Sequence, residues 1–380
     1  MRPWKGHRYA MNPSSWLLAA ALLIFSDTTL ADCECGYAIT PAGSEKLVFT
    51  DLLESDFVHL DVTDRSQEYG KYGWAAQAFN MSMQAARGPY GESFTLDNVV
   101  ANNIADVSVF DQAGEDGGDA GVRLVVKSES VDSMLSASEL ATTDLNYFHG
   151  TFRAGIKLTD VAGTCSAFFW YFNDTQEIDM EFLSAQFNRD NGSFPVNLVL
   201  QSAEAKDAGF DAADTKDFKR VNLPFDPTTD FHEYRFDYLD KEVVFYADGT
   251  EIARMNGSSV PTEPGHLLLS HWSNGNPGWS KGPPETDATT TISYVKAYYN
   301  SSLDSRQSDY AARCADPAAA GAVCDIPDND PTHFFTYETN QTVNQTTYLD
   351  DENTAAHATL LLWPLMLGAT LVSSAWVFGL

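Results

Sequence analysis

Residues 167–182 read Ala-Phe-Phe-Trp-Tyr-Phe, then Asn-Asp-Thr, then Gln-Glu-Ile-Asp-Met-Glu-Phe. The first six are almost wholly apolar, as in a strand covered on both faces. Asn173-Asp174-Thr175 is a short turn. In the last seven, charged and apolar residues alternate. Side chains two apart share one face of a strand. Glu177, Asp179 and Glu181 therefore point one way, and Ile178, Met180 and Phe182 the other. Two strands joined by a tight turn predict antiparallel pairing.

The same pattern extends outward. Residues 121–127 are short and β-branched. Over residues 147–158, Phe148, Gly150, Phe152, Ala154, Ile156 and Leu158 alternate with Tyr147, His149, Thr151, Arg153 and Lys157, a period of two. Residues 196–200, 234–238, 243–247, 251–255, 265–272 and 289–299 read as further strands. Asp248-Gly249 predicts a type I′ hairpin between two of them. Helical periodicity is nearly absent and no internal repeat is present. The expected fold is all-β, an antiparallel sandwich or barrel.

The chain has 380 residues, with 53 acidic and 23 basic side chains and a formal net charge of −30. That length buries a sizeable core without a metal or disulfide staple. The acidity argues against nucleic acid and anionic membrane surfaces as partners, since both need a basic footprint. Aromatics reach 12%, too many for a disordered acidic chain. No cofactor and a monomeric state are expected.

The ends read separately from the body. Arg2, Lys5 and Arg8 precede an apolar run at 16–25, and Thr29-Leu30-Ala31 suits signal peptidase; residues 1–31 read as a secretory signal. Ten apolar residues are too few to cross a bilayer. Residues 360–380 carry no charge. With small residues at Asn353, Thr354 and Ala355, the expectation is a GPI-attachment signal over 358–380. A retained transmembrane helix is the alternative, but it usually has a basic cytoplasmic flank. Membrane contact is expected only through this anchor, on a secreted, cell-surface protein. Between the ends, residues 32–302 read as the folded body and 303–357 as a Thr/Asn/Asp-rich stalk. Sequons at Asn80, Asn173, Asn191, Asn256, Asn300, Asn340 and Asn344 fit a glycoprotein. Five cysteines fit an oxidising compartment. Cys314 and Cys324 close a short loop and are the expected pair, which leaves one of Cys33, Cys35 and Cys165 over or paired between chains.

Three carboxylates in a row repel one another, so folding alone does not favour them. Three readings stand: an amphipathic edge strand with a solvated acidic face, a calcium site built from oxygen ligands, and glycoside hydrolysis by two carboxylic acids. In the last, one carboxylate is the nucleophile and one protonates the leaving oxygen. A third between them raises the acid's pKa by like-charge coupling. On a flat strand, residues i and i+4 stand about 13 Å apart. Retaining chemistry needs carboxyls about 5–5.5 Å apart, so the strand must be curved and the side chains must lean inward.

E-I-D-M-E after an apolar aromatic strand resembles the E-x-D-x-E signature of family-16 glycoside hydrolases. Residues 150–154 (GTFRA), 163–170 (GTCSAFFW) and 271–279 (HWSNGNPGW) agree with it, and the likeness runs from about Leu47 to Asn300. It implies a concanavalin-like β-jelly roll acting with retention on β-glucan-type polysaccharides. By the same resemblance Glu177 is the nucleophile, Glu181 the acid/base and Asp179 the assisting carboxylate. The signal and tail are similar to those of fungal cell-surface members, some of which are transglycosylases joining glucan or chitin chains. A cysteine-rich chitin-binding module is lacking. The rival is a catalytically silent, lectin-like jelly roll, which has no need of both Glu177 and Glu181.

Pyranose rings stack on tryptophan. Trp272 and Trp279, in a Gly/Pro/Asn-rich loop after a strand, are the expected platforms. Trp170 is divided between core packing and sugar contact. His271 and Asn274 are the candidate hydrogen-bonding partners for sugar hydroxyls, and Trp74 reads as core.

Overall fold

The computed structural model describes residues 33–41, 45–60, 68–207, 209, 212 and 215–337. The expected signal (1–31), the anchor (358–380), Asn340 and Asn344 lie outside them.

Two large sheets stack face to face. One, here the site sheet, runs in the order Phe218–Asn222, Pro195–Gln201, Gln176–Leu183, Cys165–Asn173, His266–Trp272, Met134–Thr142, Gly91–Phe94, Phe79–Met81. The outer sheet runs Thr250–Asn256, Glu242–Ala247, His232–Leu239, Tyr147–Lys157, Ala288–Ser301, Gly121–Val126, Val99–Asn102. This is the jelly-roll sandwich read from the sequence. One pair in the site sheet, Met134–Thr142 with Gly91–Phe94, is parallel. The Asp248-Gly249 hairpin is also as read: Ala247 faces Thr250, and both turn residues have positive φ (45° and 73°). That backbone is what a type I′ turn requires, and glycine adopts it without steric cost.

Alternation fills the space between the sheets. Phe168, Trp170, Ile178, Met180 and Phe182 face inward from the site sheet, and Phe152, Tyr234, Phe236 and Tyr238 from the outer one. Their rings meet across the gap: Phe168 on Phe236 at 5.0 Å, Trp170 on Tyr238 at 5.0 Å, Phe182 on Tyr234 at 4.6 Å. Each fully buried side chain of this size contributes roughly 1.5–3 kcal/mol, and that sum drives the sheets together. Trp74 is in this core, its indole donating to Ser55 Oγ.

Residues 303–337 are not a stalk. Helix Asp304–Arg313 is followed by strand Cys324–Asp325, which pairs in parallel with Tyr37–Ile39. Buried Arg306 meets buried Asp51 at 2.6 Å. Lys296 Nζ donates to the carbonyls of Asp330 and His333, each at 2.6 Å. Phe335 packs on Tyr37 and Tyr298. Low hydrophobicity made this stretch look unfolded, but it docks through charged and backbone groups together with a few apolar anchors, Ile326 and Phe335. The cysteine pairing differs accordingly: Cys33 bonds Cys324 and Cys35 bonds Cys314. Sequence proximity of Cys314 and Cys324 loses to tertiary pairing, because Cys33 N–H and Cys35 N–H already donate to Gly321 and Ala322. Cys165 is the free one and is buried.

Candidate active site

Register decides what faces the acids. In strand Gln176–Leu183, Glu177 sits opposite Tyr171, Asp179 opposite Phe169 and Glu181 opposite Ala167. On the other side they face Gln201, Val199 and Asn197. Directly opposed residues share a face, so the trio lies in the middle of the site sheet on the side away from the core. The acidic face is not a solvated edge: Asp179 is 4% exposed and its strand is paired on both sides.

The surroundings shift all three carboxyls up. Burial is the largest cause for each. Asp179 lies between Glu177 and Glu181, whose charges add to the effect, and is held well above the carboxylate range. Its hydrogen bond to Glu177 steadies the Glu177 charge; burial and the Glu181 charge nevertheless take Glu177 up to about 7. Burial also raises Glu181, against the lowering effect of two donors and of the Arg87 charge. Trp279 Nε1 donates to Glu181 Oε1 at 3.3 Å, and Cys165 Sγ to the same oxygen at 3.5 Å.

The Trp279 loop is built for this contact. Asn274 Nδ2 donates to Ala86 O at 2.6 Å, and Asn274 Oδ1 accepts from Asn276 N–H and Ser280 Oγ. Asn276 Nδ2 in turn donates to Arg87 O. Gly88 lies so close to the Asn274 carbonyl that a Cβ there would overlap it. These bonds bring the segment carrying Arg87 and the one carrying Trp279 to the same acids.

The structure thus separates the expected binding residues. Trp272, half-buried, pairs with Cys165 and so stands on the acid face. Trp279 touches Glu181. Trp170 does not reach the face: it is 0% exposed, lies opposite Ile178, and donates its indole N–H to Tyr147 O. His271 is also buried core, because it neighbours Trp272 on one strand and so points oppositely; its Nδ1–H donates to Leu124 O. Desolvation lowers His271 to about 4, so it is neutral. Asn274 is 4% exposed and already makes three amide hydrogen bonds, to Ala86 O and from Asn276 N–H and Ser280 Oγ, so it serves as an internal clamp rather than an open sugar ligand. Among the described residues, no cluster of three His, Cys, Asp or Glu side chains is arranged to hold a metal.

Sequence reading missed other groups on this face. Register chains Glu181 through Ala167 and Ser270 to Glu139, and Glu177 through Tyr171 to His266. Burial lifts Glu139 to about 8, with the Glu177 charge adding to it, and lifts Glu92 to about 8. Desolvation brings His266 down to about 4. The period of two was a usable signal for His266, which is six residues from Trp272 and shares its face.

The sequence matches glycosyl hydrolases family 16 over residues 105–296, half of the chain. The chain belongs to this family. Within family 16, it is 27% identical over 182 residues to a "Beta-glucanase" of Brevibacillus brevis, an alignment covering 46% of this chain and 63% of that protein. It is 30% identical over 138 residues to a "Probable xyloglucan endotransglucosylase/hydrolase protein 27" of Arabidopsis thaliana, covering 33% and 38%. The chain thus spans less than two thirds of the length of these relatives. The endo-beta-1,3-glucanase structure from Pyrococcus furiosus aligns over 70% of this chain and 98% of its own, with 16% identity and a TM-score of 0.49.

Proposed function

We propose that this family-16 protein is a retaining glycoside hydrolase acting on β-linked glucan-type polysaccharides. The observation that carries the reading is that three carboxyls share one buried face, with Asp179 hydrogen-bonded to Glu177 and Trp279 to Glu181. Asp179 supports the charge that Glu177 needs as a nucleophile. Glu181, held by Trp279 and Cys165, is read as the general acid.

Glu177 attacks the anomeric carbon while Glu181 gives its proton to the leaving glycosidic oxygen, and a glycosyl ester forms on Glu177. Glu181, now a carboxylate, takes a proton from water, which attacks the same carbon and releases Glu177. Two displacements retain the anomeric configuration. NMR of the first-formed product tests this: the β-anomer is expected, and a first-formed α-anomer contradicts it.

Transfer to a sugar acceptor in place of water, as in a wall transglycosylase, is the second reading. The Arabidopsis relative supports it, as does the aromatic pair Trp279 and Phe218, with ring centroids 6.3 Å apart beside the acid/base. Mass spectrometry with a labelled acceptor oligosaccharide separates the two: chimeric products mean transfer, unlabelled products alone mean hydrolysis.

The protein is read as secreted, glycosylated and GPI-anchored, a monomer at the outer cell surface. The two disulfides support passage through an oxidising compartment. No helix among the described residues is long and apolar enough to cross a membrane. Phosphatidylinositol-specific phospholipase C should release a mature chain lacking residues 360–380; finding that peptide in the membrane-bound form contradicts the anchor.

A further inference from the structure

We propose that the buried thiol of Cys165 is a positioning residue for Glu181, fixing which of its two carboxyl oxygens carries the catalytic proton. The proposal rests on Glu181 being the acid/base. Cys165 is 0% exposed and the described structure's one unpaired cysteine, so it takes no part in the disulfide framework. It lies on the acid face: Ala167 stands opposite Glu181, and Cys165, two residues along, faces the same way. Its Sγ is 3.5 Å from Glu181 Oε1, the oxygen that also receives the Trp279 indole N–H at 3.3 Å.

Both contacts are donations. An indole N–H has no acceptor capacity. Burial, with Glu181, Glu92 and Asp179 nearby, holds the thiol pKa far above its ordinary value, so Cys165 stays an S–H donor through the working range. With two donors directed at Oε1, a proton on that oxygen would have to displace one of them. The proton of neutral Glu181 therefore resides on Oε2, the oxygen assigned by this reading to the leaving group. After proton transfer the two bonds remain on the carboxylate and strengthen, because hydrogen bonds to a charged acceptor are the stronger kind.

The other charges facing Glu181 come from several elements. Asp179 and, beyond it, Glu177 share its strand, Arg87 faces it from the loop at Gly88, and Glu139 and Glu92 lie three and four strands away in the same sheet. A donor that favours the ionised form lowers a carboxyl's pKa. Removing the thiol should thus raise Glu181 and carry the basic limb of the pH profile upward.

The experiment compares Cys165→Ala and Cys165→Ser in the full-length protein, with kcat and KM measured against pH on a substrate with a poor leaving group. Cys165→Ala is expected to move the basic limb up by about half a pH unit. It should also lower kcat about threefold to tenfold, with KM little changed. Cys165→Ser keeps a donor and should hold the basic limb at the wild-type position. Equal thermal unfolding temperatures exclude a loss of packing as the cause. An unmoved basic limb in Cys165→Ala, or equal shifts in both variants, overturns the proposal. Glu181→Gln on an activated substrate keeps the failures apart. If the basic limb survives in Glu181→Gln, the acid/base assignment is wrong. If it vanishes there while Cys165→Ala leaves it in place, only the role of Cys165 is wrong.

Discussion

The indole nitrogen of Trp279 stands 3.3 Å from Oε1 of Glu181, although 98 residues separate them in the chain. In the proposed mechanism this one side chain both stacks on sugar and positions the acid. Trp279→Phe keeps a ring for stacking but removes the donor. On a poor leaving group its kcat is expected to fall about tenfold, the worth of one hydrogen bond to a charged group, while KM changes little. An unchanged kcat with a raised KM would assign Trp279 to stacking alone.

The raised carboxyls set how stability depends on pH. Folded Glu92 and Glu139 titrate near 8 and Glu177 near 7, against about 4.5 for an unburied glutamate. Between those values the folded chain holds protons that the unfolded chain has released, so stability falls as pH rises. The stabilisation is complete below about pH 4.5 and lost through pH 7–8. Thermal melts from pH 5 to 9 should show this decline, and Glu139→Gln should flatten it. A melting temperature that rises over that range contradicts these shifts.

The two disulfides close nested loops, with sequence separations of 291 and 279. Once one is formed, the second closes only the short circuit through residues 33–35 and 314–324. Loss of either alone should therefore cost about 3 kcal/mol, and loss of both more than twice that. Guanidinium unfolding of Cys35→Ser with Cys314→Ser, of Cys33→Ser with Cys324→Ser, and of the fourfold variant measures it. Equal costs for one bridge and for both would contradict the nested arrangement.

Trp170 provides a test of face assignment. Its burial against Tyr238 predicts that Trp170→Leu destabilises the fold by roughly 2–4 kcal/mol and leaves KM unaltered. A raised KM at unchanged stability would return Trp170 to the cleft.

What the sequence disclosed followed from local period and turn chemistry. Alternation over Glu177 to Phe182 put the acids on one face, and Asp248-Gly249 announced its hairpin. Long-range register was not legible. Nothing local tells that Trp170 lies opposite Ile178 rather than an acid, or that Glu139 lies three strands from Glu181 on the same face. His271 and Trp272 are a different case: neighbours on a strand face oppositely, so parity alone allowed only one of them into the site. Asn274 looked like a sugar ligand because its loop is polar, yet a loop that holds a tryptophan against an acid needs its own internal clamp. The segment 303–337 lacked an apolar stripe because it docks through Arg306, Arg313, the carbonyls that Lys296 reaches, and only isolated apolar anchors such as Phe335.

The proposed mechanism stands or falls on Glu177 as the nucleophile of a double displacement. Incubation with an activated 2-fluoro-β-glycoside, followed by proteolysis and mass spectrometry, addresses it directly. A single glycosyl adduct on Glu177 is expected, and Glu177→Gln should abolish it. A label on Glu181, or an undiminished label in Glu177→Gln, would contradict it.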